Sequence, residues 1–62
     1  MIKVDMSNAA EPIVTGDIRT KEGQVIGMTV HVPSDGSLVE EEAIDAALMM
    51  IQQSYPGARW AG

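Results

Sequence analysis

The sequence predicts an α+β fold: a two-layer arrangement in which a three-stranded antiparallel sheet packs on one C-terminal helix, in the order β-β-β-α. Three observations carry that prediction. Two alternating apolar runs flank a short loop ending in glycine, and they pair in one register only. One segment, Ser37 to Tyr55, has helical periodicity with its own start and stop signals. The whole chain is 62 residues long, which makes residues 1–62 a single small domain.

The first strand is read from Ile2, Val4 and Met6, which alternate with Lys3 and Asp5 and so present one apolar face. Ser7 to Pro12 is loop by composition. Ile13 to Thr20 suits a second strand and Val25 to Val32 a third, which Pro33 ends. A loop of Lys21-Glu22-Gly23 sets Thr20 opposite Gln24. Val14, Gly16 and Ile18 then share a face with Val30, Met28 and Ile26. Thr15, Asp17 and Arg19 fall on the other face with Thr29, Gly27 and Val25. A loop one residue longer would mix the two faces, because the side-chain period along a strand is two. Gly23 also stands where a three-residue hairpin loop needs a left-handed residue.

Ser34-Asp35-Gly36 turns the chain toward the helix. Ser37 with Glu40 spells a capping box, and Tyr55-Pro56-Gly57 is a stop. Glu40, Glu41 and Glu42 fall in the first turn, where carboxylates meet the positive end of the helix dipole. Ala58-Arg59-Trp60 either adds a few extended residues or hangs free.

Two apolar stripes run along this helix. At about 100° per residue, Ile44, Ala47, Leu48, Ile51 and Tyr55 form the one expected to face the sheet. Val39, Ala43, Ala46 and Met50 form a second beside it, and Met49 points out of the polar arc. The sheet either curls over both stripes or leaves the second as a contact surface. The core has no Phe and is thin, which favours the second reading. Val39, Ala43, Ala46, Met49 and Met50 are the expected partner-binding residues. Trp60 is read as an added anchor or as a cap on the end of the core.

Size and composition narrow the function. A chain this short buries only about 60% of its extended surface, so its stability is marginal and calls for oligomerisation, a tight partner or an unusually well packed core. It has no cysteine, which removes disulfides, thiolate zinc sites and thiol nucleophiles, and one histidine, which removes a His-rich metal site. The net charge is −5. Residues 1–31 carry net −1 and residues 32–62 net −4. Such a chain lacks the basic footprint for phosphate backbones, so no direct nucleic-acid binding is expected. Nothing reads as a signal peptide, and no apolar run nears the roughly 20 residues that span a membrane. The expectation is a soluble, cytoplasmic chain, in the host cytoplasm if viral.

Candidate chemistry is sparse. His31 falls on the outer sheet face opposite Ile13, with Asp17 several residues away, and is read as a solvated bystander. Glu40, Glu41, Glu42 and Asp45 form an acidic surface. Successive helical residues diverge by about 100°, so they do not converge on one ion. No phosphate-binding glycine motif, cofactor site or nucleophile–base pair is present. The expected function is therefore that of a small acidic, non-catalytic protein-binding module. It acts through its helix, as a homo-oligomer or on a basic protein. Two alternatives use the same surface: a phage-type inhibitor of a nucleic-acid-binding protein, with the carboxylates imitating phosphates, or a structural subunit of a viral particle.

Overall fold

A computed structural model describes residues 1–62. The sheet and the C-terminal helix form an α+β pair of layers, as the sequence predicts. The strands are β1 (Lys3–Asp5), β2 (Ile13–Arg19) and β3 (Val25–His31), followed by helix α1 (Glu40–Ser54) and a short β4 (Arg59–Trp60).

The central hairpin has the register the alternation demands. Val14 lies opposite Val30, Gly16 opposite Met28, and Ile18 opposite Ile26. Thr20 N–H donates to Gln24 O at 2.8 Å, and Gly23 N–H closes the loop onto Thr20 O at 2.9 Å. Gly23 has φ of +90°, a backbone conformation in which a Cβ is strained.

β4 is the element the sequence left open. It pairs antiparallel with β2, Ile18 opposite Trp60 and Arg19 opposite Arg59. β1 pairs with the other end of the same edge, Lys3 to Asp5 against Thr15 to Ile13. The two short strands therefore share one edge of β2 and meet at Gly16. A Cβ built on Gly16 would lie 3.2 Å from the Trp60 ring and 3.3 Å from the Ile2 side chain. The absent side chain is what lets these two pack together over the strand.

The core is Val14, Ile18, Val30 and Val32 from the sheet side, Ala43, Ala47 and Ile51 from the helix, and Ala58 after it. This corrects the face assigned to the helix. The buried line is Ala43, Ala47 and Ile51. Ala47 and Ile51 belong to the expected sheet-facing stripe, but its other members are not part of the buried core: Ile44 and Leu48 are half-buried and Tyr55 is exposed. The helix is turned by roughly 50°, half of one residue's rotation, so that the seam between the two stripes faces the sheet. Alanine is the physical reason. Ala43 and Ala47 allow a close approach of helix to sheet, while Ile44 and Ala46 pack in from either side. Tyr55, expected in the core, is 37% exposed at the helix end.

The helix start is also corrected. It begins at Glu40 with Val39 as N-cap, not at Ser37. The Glu42 carboxylate accepts the Val39 N–H at 3.1 Å. Valine has no side-chain oxygen to return the bond, so only half of a capping box exists. Ser37 is held elsewhere: its N–H donates to Asp35 Oδ1 at 3.0 Å, and its hydroxyl donates to the same oxygen. Asp5 and Ser7 repeat the arrangement at 2.9 and 2.6 Å.

Each serine hydroxyl, and secondarily its N–H, holds the neighbouring carboxyl below its ordinary value of 3.8. A lowered carboxyl pKa stabilises the folded turn above the unfolded value, and that contribution is lost as pH falls through the folded value. We expect carboxyl titrations followed by NMR to show Asp5 and Asp35 midpoints below 3.8. Ser7→Ala should return Asp5 toward the ordinary value and leave Asp35 unmoved.

Candidate partner-binding surface

The helix runs along the strands. Its start follows the loop from β3, and its end lies near the hairpin tip, where Gly57 sits beside the Lys21 side chain. One flank is tied down. Trp60 Nε1–H donates to Ile44 O at 3.3 Å, and Gln52 Nε2–H donates to Ala58 O at 2.9 Å. Both bonds connect the helix to the segment that forms β4.

The opposite flank carries the second stripe, and the structure divides its members. Val39 is 58% exposed and Met50 38%, and Met49, on the polar arc beside the stripe, is 68% exposed. Ala46 is half-buried and packs against the core from the edge. Ala43, expected among the contact residues, is fully buried, so no partner reaches it while the fold is closed. Trp60 is half-buried, with its ring over Gly16 and its N–H on the helix backbone. It caps the end of the core. The exposed apolar surface is therefore narrower than the sequence suggests: Val39, Met49 and Met50, with Ala46 beneath.

Glu40, Glu41, Glu42 and Asp45 are all exposed on the first turns of α1. Glu42 spends part of its capacity on the Val39 N–H, and the other three face water. No three His, Asp or Glu side chains are placed to hold a metal ion.

One pairing escaped the sequence reading. His31 Nδ1 lies 2.9 Å from Glu11 Oε1. The signal was available. Extending the β2–β3 register two residues past Ile13 puts Glu11 diagonal to His31 on the outer face, within reach for long side chains. Both side chains are more than half exposed, 58% and 55%, and an exposed pair of this kind contributes about 0–1 kcal/mol. The structure shows no pocket around it.

No helix is long and apolar enough to cross a membrane. In comparisons with known proteins, the chain matches no family, no curated protein and no solved structure.

Proposed function

We propose that this chain is a small, acidic, non-catalytic protein-binding module of the cytoplasm that acts through the outer flank of its helix. The observation that supports the reading is the exposure of Val39, Met49 and Met50 on a domain whose hydrophobic core is only eight residues. A small domain that leaves long apolar side chains outside gains from covering them. Methionine suits an interface because it is unbranched and adapts to irregular surfaces. The partner is a second copy or a basic protein, and in the second case the exposed carboxylates of Glu40, Glu41 and Asp45 beside that patch would orient it electrostatically.

The test is solution mass by light scattering after size exclusion, over a dilution series at low and high salt, for the wild-type chain and for Met50→Glu. Met50 is partly exposed on a helix, and glutamate is a good helix former, so the substitution should change stability by no more than about 0.5 kcal/mol. Association should be lost while the far-UV and amide spectra stay native. A Met50→Glu chain that unfolds would assign the stripe to the core and end this reading.

A further inference from the structure

The outer edge of β3 is unpartnered. In the order β1-β2-β3, β3 has β2 on one side and no strand on the other. Bonds at both ends of the pairing, Thr20 N–H to Gln24 O and Val32 N–H to Pro12 O, fix which residues point toward β2. By alternation these are Ile26, Met28 and Val30. The N–H and C=O groups of Val25, Gly27, Thr29 and His31 therefore point outward along the free edge.

Edges of this length are normally protected by a charged side chain, a proline, a bulge or a covering loop. β3 has none of these. It is seven residues long, Val25 to His31, with no Lys, Arg, Asp, Glu or Pro. Ile26 and Met28, on the helix-facing side, are only half-buried, so the same edge also exposes apolar side chain.

We propose that this edge, with the Val39–Met50 flank of the helix above it, is a two-fold interface with a second copy of this chain, formed by antiparallel β3–β3 pairing centred on Met28. The inference rests on the module reading and supplies its partner. Self-complementarity selects the occupant. Centring on Met28 sets Val25 against His31 and Gly27 against Thr29 of the copy, so every outward backbone group on the strand finds a partner. Ile26 then faces Val30 of the copy, and Met28 faces itself. No like charges are brought together, although each chain carries −5. Any other centre leaves part of the strand unpaired.

The helix supports the same geometry. Trp60 and Gln52 tie its Ile44 flank to the β4 side. The Val39–Ala46–Met50 flank is about 180° from the mean of Ile44, Leu48 and Gln52, and so overlooks β3. A two-fold axis normal to the sheet keeps both helices on one face, with these flanks turned toward each other. Edge pairing of one seven-residue strand is small beside the roughly 1,200 Å² that a stable interface buries, and the helix flanks add to it.

The experiment uses the full chain, which has no cysteine of its own. In the wild type, light scattering should give about twice the 6.6 kDa monomer mass, and the dimer should tighten as salt screens the two negative chains. Thr29→Pro removes an outward N–H and no bond to β2, and should return the mass to 6.6 kDa with the fold intact. Met28→Cys should form a disulfide-linked dimer under mild oxidation, because a directly facing pair of this type sits about 4.5 Å apart between Cα atoms. Val25→Cys, facing His31 of the copy, should not. A dimer that survives Thr29→Pro, fails to cross-link through Met28→Cys and is lost in Met50→Glu would overturn the strand pairing and leave the helix reading standing. A wild-type chain that is monomeric at every concentration would overturn the self-association itself.

Discussion

An Ala43→Glu chain is expected to be unfolded at neutral pH. Nothing local opposes the substitution. Glutamate has good helix propensity, and Ala43 lies in the first turns of α1, where a carboxylate is favoured by the dipole. The cost comes from packing alone. Ala43 is 0% exposed and clusters with Val14, Ile18, Val30 and Val32. A carboxylate there would have neither water nor a cationic partner, since the core cluster is aliphatic throughout. The effective cost of an unpaired buried charge is several kcal/mol. At about 0.05–0.15 kcal/mol per residue, a chain of this length has a total stability of about 3–9 kcal/mol. The substitution removes most or all of it.

The same charge at Met50, two turns further on, is expected to leave the fold intact. The pair of variants therefore reads the rotation of the helix directly. Circular dichroism and an amide spectrum are sufficient. A folded Ala43→Glu chain would mean that Ala43 faces solvent and that the sheet packs on the Ile44–Leu48–Tyr55 side.

That rotation also shows where sequence reasoning lost resolution. The hairpin was legible because two constraints met at one place: period-two alternation allowed a single loop length, and Gly23 stood at the position that loop requires. The helix had no second constraint. Its two apolar stripes are adjacent, and counting bulky side chains favours Ile44, Leu48 and Tyr55 over alanines. What decided the outcome was tertiary. Trp60 and Gln52 anchor one flank, and small residues at 43 and 47 let the helix sit close to the sheet. Of the expected contact residues, Val39, Met49 and Met50 are exposed, Ala46 is at the margin, and Ala43 and Trp60 serve the chain's own core. The Ser37 cap was misread because Asp35, two residues upstream, takes both its hydroxyl and its N–H. β4 was legible only as one of two alternatives, a few extended residues or a free end, and the structure has the first. Two residues carry no periodicity, and they become a strand only because the edge of β2 beyond β1 is vacant.

Ile18→Ala is the second variant with a large expected effect, and it probes that vacant edge. Ile18 is fully buried on the central strand, with Ile26 beside it in β3 and Trp60 beside it in β4. Truncation to alanine removes three carbons and leaves a cavity. Such a change costs about 2–5 kcal/mol, the larger values where neighbours do not close in. Collapse is hindered here. Gly16, the next residue on the same face, has no side chain to shift, and the Trp60 ring is held by its bond to Ile44 O. The upper half of that range is expected. It would be seen as a fall in the urea midpoint with an unchanged slope, or as a chain already unfolded in buffer. Ile18→Val, losing one methylene group, should cost about 0.5–1.5 kcal/mol and keep the fold measurable. If Ile18→Ala cost less than about 1 kcal/mol, the site would have collapsed after all. Were Trp60 the neighbour that moved into the gap, and not Ile26, β4 would be a loosely held tail instead of the fourth strand of the sheet.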